Sequence, residues 1–280
     1  MSTQNPDRYA VIGNPISQTK SPLIHMAFAE ESGQDLVYTA LEGPLGQFAA
    51  TVDQFRAAGG KGLNVTVPFK LDACAYATDL SEDARAAGAA NALKFEGDRV
   101  YAQNFDGIGL VRDITHNLGQ PLAGKRVLLL GAGGAARGAI LPILREGPAQ
   151  LFVANRTVEK AQQLVQALRA SGAGATLQGG GYEALAGQRF DVVINATSAS
   201  LSAALPPLPA SAFEADGLAY DMVYGKGLTP FLKLAQQAGV RQLADGAGML
   251  VEQAAEAFAW WRGVRPDTRA MIARISAPLV

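Results

Sequence analysis

The chain has 280 residues, enough for two domains of ordinary size, each with its own hydrophobic core. Its formal net charge of -1 gives no general attraction to nucleic acid or to an anionic membrane, so a small molecule is the expected partner. With one cysteine, Cys74, and no apolar run near the roughly 20 residues of a membrane-spanning helix, the sequence predicts a cytoplasmic protein without a disulfide or a cysteine-rich metal site.

Short apolar runs alternate with helix-period stretches along the whole chain, which is typical of the α/β class with parallel sheets. In the first third this pattern predicts strands over 9–13, 36–41 and 62–67, and helices over 21–31, 45–57 and 69–77. Two further predicted strands, 92–96 and 99–103, flank the hairpin turn signal Gly97-Asp98. A predicted helix over 108–118 then leads into a second series of strands and helices.

The second series opens with an apolar run, 126–130, that leads into closely spaced glycines and an alanine-rich stretch. This order predicts a strand, a tight turn and a helix. Gly131 permits the turn, and Gly133 lets backbone approach a pyrophosphate at the helix N-terminus. The pattern therefore predicts a dinucleotide site, whose turn residues are Gly131, Ala132, Gly133, Gly134 and Ala135.

A second predicted strand, 151–154, ends in Asn155-Arg156-Thr157, about 20 residues after the glycines. An NAD site usually has Asp or Glu there for the ribose hydroxyls, whereas a neutral Asn followed by Arg suits the 2′-phosphate of NADP. The sequence therefore predicts NADP bound to a Rossmann-like, doubly wound domain. The alternative is a glycine-rich turn beside a solvated arginine.

The rest of this series has predicted strands near 175, 192, 218 and 241–243, and helices that begin near 135 and 158. The proline-rich stretch 205–209 is predicted to be a surface loop because proline lacks a backbone donor. An amphipathic helix over 249–261 is predicted to end at Gly263 and Pro266.

Polar side chains follow the predicted strands of the first domain, where open α/β sheets bind their ligands. A hydride-transfer enzyme also needs a group that supplies or removes a proton, and only this domain offers candidates. The polar groups are Thr19, Lys20, Ser21, Asn64, Thr66, Lys70, Asn91, Asn104 and Asp106.

Read together, these segments resemble shikimate dehydrogenase over nearly the whole chain. In the first half the matching segments are 13–16 (GNPI), 20–22 (KSP), 64–70 (NVTVPFK), 90–93 (ANAL) and 106–107 (DG). In the second half they are the glycine turn, 155–157 (NRT), 195–198 (NATS), 220–224 (YDMVY), 229–232 (TPFL) and 245–254 (DGAGMLVEQA). The resemblance implies NADP-dependent, reversible reduction of 3-dehydroshikimate to shikimate, a step of aromatic amino acid biosynthesis.

The resemblance also implies a substrate-binding and catalytic domain over 1–106 and 246–280, and an NADP-binding domain over 107–245. It adds Thr157, Thr197, Met222 and Gly246 to the expected cofactor contacts. No metal is predicted, because neither histidine, His25 or His116, has further ligands at metal spacing.

Lys70 and Asp106 resemble the catalytic lysine of the family and its partner carboxylate, which together hold the reacting hydroxyl and share its proton. Which of the two is the formal acid stays open. Without the resemblance, the sequence favours a solvated lysine at a helix start for Lys70 and a helix N-cap for Asp106.

Substrate contacts are implied at seven further positions. Thr19 and Ser21 are expected to bind the substrate carboxylate, although Ser21 followed by proline is also typical of a helix N-cap. Asn64, Thr66 and Asn91 are expected to bind ring hydroxyls, or else to cap turns. Tyr224 and Gln253 match substrate-contacting residues; alternatively they are a core tyrosine and an exposed helix residue.

The chain departs from the family pattern at three places. The usual string His-Ser-Lys-Ser is here Gln18-Thr19-Lys20-Ser21, so a hydroxyl is kept and a histidine is lost. Phe105 stands where the family commonly has threonine, and it either dries the site beside Asp106 or fills a hinge between domains. Ser200 stands where a glycine is common.

Two other functions remain open from the sequence. One is a quinate/shikimate dehydrogenase with relaxed substrate choice or NAD use, which Arg156 and Ser21 disfavour. The other is a non-catalytic module that senses NADP, which Lys70 and Asp106 disfavour. A monomer and a homodimer are both compatible with the sequence.

Overall fold

Residues 5–170, 172, 174–197 and 205–279 are described by a computed structural model, and they confirm the mixed α/β class with a separate sheet in each of two units. The first unit comprises Met1–Asp106 with Val251–Met271, and the second Gly107–Leu250 with Ile272–Val280. The sequence assigned all of 246–280 to the first domain, whereas 246–250 and 272–280 group with the second unit.

The sheet of the first unit is mixed, with six strands among the described residues in the order β2-β1-β3-β5-β6-β4. Strand β1 is parallel to its neighbours β2 and β3, while β5 runs antiparallel to both β3 and β6. The strand bounds are β1 Asp7–Gly13, β2 Leu36–Glu42, β3 Gly60–Val65, β4 Asp79–Leu80, β5 Ala92–Glu96 and β6 Arg99–Gln103. The predicted hairpin of β5 and β6 is therefore confirmed, whereas the two-residue β4 was not predicted.

Helices of the first unit follow its strands closely. Their bounds are α1 Ser21–Ser32, α2 Phe48–Ala57, α3 Lys70–Tyr76 and α4 Glu82–Ala87. The short α4 was missed because six residues carry too little periodicity, although Ser81 caps it by accepting from the Ala84 N–H at 3.1 Å.

Part of the first unit's core is an aromatic cluster around His25, which is 1% exposed. The imidazole stacks on Tyr38 with ring centroids 4.2 Å apart and planes 3° apart, and Phe258 and Trp261 lie within 6.2 Å of it. Neither ring nitrogen of His25 has a hydrogen-bond partner in the described structure. Trp261 packs in this core, and its indole N–H donates to the Leu93 carbonyl at 3.0 Å.

The sheet of the second unit is parallel, with the order β12-β11-β10-β7-β8-β9. Counted within the unit, this is the 3-2-1-4-5-6 order of dinucleotide-binding folds. The strand bounds are β7 Arg126–Leu130, β8 Gln150–Ala154, β9 Leu177–Gly180, β10 Phe190–Asn195, β11 Phe213–Asp221 and β12 Gln242–Asp245. The predicted Rossmann-like topology is confirmed.

The remaining helices begin with α5, which starts at Asp106 in the first unit. Their bounds are α5 Asp106–Arg112, α6 Gly134–Arg145, α7 Val158–Ala170, α8 Pro230–Gln237, α9 Ala247–Arg262 and α10 Arg269–Ile275. The predicted helix 108–118 instead changes to a π turn over Asp113–Asn117. There the buried Asp113 carboxylate accepts from the Tyr220 hydroxyl at 2.7 Å and from Asn117 Nδ2 at 2.9 Å.

Acidification is expected to destabilise the first unit through His25. Burial lowers the pKa of His25 from 6.5 to about 3, and the nearby Asn64 side chain offsets part of this shift. Below pH 6.5, His25 binds a proton in the unfolded chain but stays neutral in the folded chain. The free energy of unfolding therefore falls as the pH drops toward 3. Between pH 7 and pH 5 we expect this residue to cost about 2 kcal/mol in the free energy of unfolding.

Urea unfolding of the wild type and of His25→Phe at both pH values measures this contribution. The variant should lose about 2 kcal/mol less than the wild type on acidification. Replacement of the exposed His116 by Gln is the control. Equal pH dependence of the wild type and His25→Phe would contradict the expectation.

Candidate active site

An ion pair between Lys70 and Asp106 forms the centre of the polar site in the first unit. Lys70 is the first residue of α3, directly after the turn that follows β3, and Asp106 is the first residue of α5. Lys70 Nζ donates to Asp106 Oδ2 at 2.6 Å, with side chains 30% and 16% exposed. Both groups are therefore partly shielded from water and still open to a ligand.

Asn91 fixes the carboxylate of this pair. Its Nδ2 donates to Asp106 Oδ1 at 2.8 Å and to Gln253 Oε1 at 3.3 Å, while its Oδ1 accepts from the Phe105 N–H at 2.8 Å. Each oxygen of Asp106 thus has its own donor. The structure brings Lys70, Asp106, Asn91 and Gln253 together, and it gives Asn91 an orienting contact with Asp106 that the sequence did not predict.

Asn104 is one of the polar residues that the sequence grouped in this domain, although no specific role was predicted for it. Its Oδ1 accepts from the Asp106 N–H at 3.1 Å, and its Nδ2 donates to the Ala89 carbonyl at 3.0 Å. The side chain is buried and ties the start of α5 to the segment before Asn91. The sequence signal for this contact is the position of Asn104, two residues before an aspartate that begins a helix.

The hydroxyls of Thr19 and Ser21 lie side by side at the start of α1. Thr19 Oγ1 donates to Ser21 Oγ at 3.2 Å and accepts from the Ser21 N–H at 3.2 Å. The helix begins at Ser21 itself, and its N-cap position is Lys20, which provides no side-chain cap. The alternative interpretation of Ser21 as the N-cap is therefore wrong, and capping does not compete for its hydroxyl.

Asn64, at the end of β3, is held by a residue that the sequence analysis overlooked. Its Oδ1 accepts from the Tyr38 hydroxyl at 2.6 Å, and its Nδ2 donates to the Asn91 carbonyl at 3.3 Å. Thr66 follows in the turn, where its N–H donates to the Ile12 carbonyl at 2.9 Å and its carbonyl accepts from the Phe69 N–H at 3.0 Å.

Phe105 packs inside the first unit. It is 5% exposed, and its ring meets Trp260 edge-on, with centroids 5.7 Å apart and planes 69° apart. The side chain therefore fills space beneath α9, while its backbone N–H orients Asn91. Ser198 and Ser200 lie outside the described residues.

The second unit contains a cavity of about 600 Å³ at the carboxyl ends of β7, β8 and β10. It is lined by Gly131, Ala132, Gly133, Gly134, Ala135, Asn155, Arg156, Tyr182, Ala196, Thr197, Leu205, Pro206 and Pro207. This lining contains every residue predicted for the glycine turn, together with Asn155, Arg156 and Thr197. Within the described residues, it includes none of Thr157, Met222 and Gly246.

The lining of this cavity fits a phosphorylated dinucleotide. Gly133 precedes the twelve-residue helix α6 without any side-chain cap, so the first N–H groups of the helix remain available. A Cβ built at Gly133 or Gly134 meets no atom within 4 Å, which leaves the backbone open to close approach. Gly131 has a φ of +106°, and Arg156 supplies a cation on the same wall.

A buried carboxylate supports one side of this cavity. Asp221 is fully buried at the end of β11 and accepts from Asn195 Nδ2 at 3.2 Å and from the Thr229 hydroxyl at 2.6 Å. Asn195 Oδ1 accepts from the Thr197 hydroxyl at 2.7 Å, which fixes that lining residue. Tyr224, 36% exposed, follows in the next loop, and burial raises the pKa of its hydroxyl.

Gly246 and Met222 lie next to each other beside this network. A Cβ at Gly246 would come within 2.3 Å of the Met222 carbonyl oxygen. Only glycine therefore fits at position 246, where the two backbone segments pass close to each other. The Met222 N–H donates to the Asn195 carbonyl at 3.0 Å.

In the described part of the chain, no group of three or more His, Cys, Asp or Glu side chains is arranged to hold a metal ion. No helix among the same residues is long and apolar enough to span a bilayer.

Three family models match the chain. They describe the shikimate dehydrogenase substrate binding domain over residues 11–93, shikimate / quinate 5-dehydrogenase over residues 113–204, and the shikimate 5'-dehydrogenase C-terminal domain over residues 246–275. Shikimate dehydrogenase (NADP(+)) of Nitrosospira multiformis is 56% identical over 273 residues, with 98% of each chain covered. That of Dechloromonas aromatica is 57% identical over 274 residues, with 98% of this chain and 99% of the relative covered.

Solved structures give the same result. An Ael1 enzyme from Pseudomonas putida superposes with a TM-score of 0.94 at 61% identity, covering 98% of this chain and 100% of the other. Shikimate 5-dehydrogenase from Thermus thermophilus, in complex with NADP(H) and shikimate, has a TM-score of 0.84 at 30% identity. That match covers 95% of this chain and 97% of the other.

Proposed function

The chain belongs to the shikimate dehydrogenase family, and we propose that it catalyses the reversible, NADP-dependent reduction of 3-dehydroshikimate to shikimate. One observation carries the proposal for this chain. Lys70 and Asp106, separated by 36 positions, form a 2.6 Å ion pair that is only partly exposed. Such a pair is suited to exchanging a proton with a substrate hydroxyl.

The proposed chemistry assigns the proton step to this pair. When bound, NADPH supplies the hydride that is added to the carbonyl carbon of 3-dehydroshikimate. The carbonyl oxygen then gains a proton from the pair formed by Lys70 and Asp106, and shikimate oxidation returns that proton. Asn91 keeps the carboxylate oriented while the proton moves, because it occupies Asp106 Oδ1 and leaves Oδ2 toward Lys70.

The substrate contacts proposed here are supported by the grouping of polar side chains in the first unit. Thr19 and Ser21 would donate to the substrate carboxylate, and two adjacent hydroxyls suit its two oxygens. Ring hydroxyls would be bound by the polar groups around Lys70, and Tyr224 is proposed to contact the substrate as well. The proposed ring-hydroxyl contacts are Asn64, Thr66 and Asn91, and Gln253 is proposed to contact the substrate.

The proposed NADP contacts are supported by the cavity of the second unit. The glycine turn and the N-terminus of α6 would bind the pyrophosphate, because unpaired N–H groups and the helix dipole favour an anion. Arg156 would bind the 2′-phosphate, with Asn155 holding its own turn by donating to the Thr157 carbonyl at 2.8 Å. Thr157, Thr197, Met222 and Gly246 complete the proposed set.

A second substrate is favoured by one observation, since the family model over residues 113–204 is described as shikimate / quinate 5-dehydrogenase. A module that senses NADP without turnover has no such support, because it leaves the pair of Lys70 and Asp106 without a role. A cytoplasmic location, the lack of a nucleic-acid partner, and a monomeric or homodimeric state stay predictions from the sequence.

Replacement of Lys70 by Ala is expected to lower kcat by roughly 100-fold or more, because the variant loses the amine that exchanges the proton. Lys94→Ala is a matched control, since Lys94 has the same 30% side-chain exposure and pairs with Glu96 at the same 2.6 Å. Steady-state rates of shikimate oxidation measure both variants. Near-normal turnover of Lys70→Ala would remove Lys70 from the mechanism.

Initial rates with shikimate and with quinate, each against NADP and NAD, test the function directly. We expect the highest kcat/KM for shikimate with NADP, and no rate in any of the four pairs would refute the proposal. Arg156→Ala should raise the KM for NADP by roughly 10- to 100-fold and leave that for NAD within about twofold, because NAD lacks the 2′-phosphate.

The exposed Arg241, which pairs with Asp216 on the surface of the same unit, supplies the control variant Arg241→Ala. It should change neither KM. Equal effects of Arg156→Ala on both cofactors would show that Arg156 does not contact the 2′-phosphate.

A further inference from the structure

A buried tyrosine is hydrogen-bonded to Asn64, one of the residues proposed to bind a ring hydroxyl of the substrate. Tyr38, in β2, is 5% exposed, and its hydroxyl donates to Asn64 Oδ1 at 2.6 Å. Burial raises the pKa of this hydroxyl well above its usual range, and the nearby Ser21 side chain acts in the opposite direction. The neutral phenol therefore remains a donor to the Asn64 amide.

This bond belongs to a longer chain of hydrogen bonds. Asn64 Nδ2 donates to the Asn91 carbonyl at 3.3 Å, and Asn91 Nδ2 donates to Asp106 Oδ1 at 2.8 Å. Tyr38 therefore lies at the start of a chain that leads through Asn64 and Asn91 to the carboxylate of the ion pair.

The hydrogen bonds of Asn64 hold its side chain in one orientation. An amide that turns by half a rotation exchanges its oxygen and its NH2 group. In the observed orientation Oδ1 accepts from the Tyr38 hydroxyl, which fixes the position of the amide. Nδ2 donates to a backbone carbonyl, which can only accept, so the reversed amide would bring two oxygens together. Because Asn64 is also buried, such mispairing is costly.

The phenol itself is held in place by His25. The imidazole lies flat on the Tyr38 ring, 4.2 Å away, and is itself enclosed by Phe28, Phe258 and Trp261. A ring packed on its face by another buried ring has little freedom to swing. The hydroxyl of Tyr38 is therefore kept at a fixed point beside Asn64.

We propose that Tyr38 is a positioning residue that fixes Asn64 for a ring hydroxyl of the substrate. This inference rests on the proposed function, since it concerns the same substrate. Tyr38 does not touch the reacting atoms in this scheme. Its loss should therefore weaken substrate binding while the proton exchange at Lys70 and Asp106 continues.

Tyr38→Phe tests the inference because it keeps the ring on His25 and removes the hydroxyl alone. We expect the KM for shikimate to rise about tenfold, with kcat within about threefold and the KM for NADP unchanged, as a single lost hydrogen bond predicts. Tyr76→Phe is the matched control, since the Tyr76 hydroxyl also donates to a side chain, Asp53, at 2.5 Å on the surface of the same unit.

A double-mutant cycle with Asn64→Ala separates positioning from general loosening of the core. If Tyr38 acts through Asn64, Tyr38→Phe should add less than about twofold to the KM of Asn64→Ala. Fully additive effects, or an unchanged KM for Tyr38→Phe in an active enzyme, would overturn the inference and leave the proposed function intact. A wild type without shikimate oxidation would overturn both.

Circular dichroism checks that Tyr38→Phe is folded. If it is not, His25→Leu replaces it, because this variant leaves Tyr38 in place and removes the ring that packs on its face. The inference predicts a raised KM for shikimate that is non-additive with Asn64→Ala, and an unchanged KM or additivity would overturn it.

Discussion

The proposed activity depends on keeping two opposite charges, those of Lys70 and Asp106, in contact at a partly buried place. Taking each charge out of water is costly, and the pair offsets that cost only when its geometry is fixed and its remaining oxygen is hydrogen-bonded. Asn91 meets this second condition at Asp106 Oδ1. Asn104 adds a bond to the backbone of Asp106. The site is therefore best understood as one carboxylate surrounded by donors from several elements.

Sheet topology explains why these residues meet. The antiparallel register places Asn64, near the end of β3, opposite Ala92 at the start of β5, and Ala92 opposite Gln103 at the end of β6. The end of β3, the start of β5 and the end of β6 therefore lie at the same end of the sheet. Each of these three segments carries polar residues. Sequence analysis identified the polar residues and the hairpin, but the register that aligns their ends depends on pairings between distant parts of the chain.

The cofactor cavity was the most predictable part of the molecule, since a strand, a glycine turn and a helix follow one another directly in the sequence. The residues that were missed are those whose role comes from a distant partner. Tyr38 is buried between two exposed neighbours in β2, a pattern that is typical of an ordinary core residue. Its hydroxyl nevertheless contacts Asn64, 26 positions away. The π turn at Asp113 depends on Tyr220, 107 positions away. No local pattern encodes such contacts.

A crystal structure of the enzyme with shikimate tests the central claim most directly, because it locates the hydroxyl oxygen on the carbon that is oxidised. The account predicts that this oxygen lies within about 3.2 Å of both Lys70 Nζ and the Asp106 carboxylate, with the ion pair still formed. Shikimate bound in the first unit with that oxygen out of reach of both groups, even through one water, would contradict it.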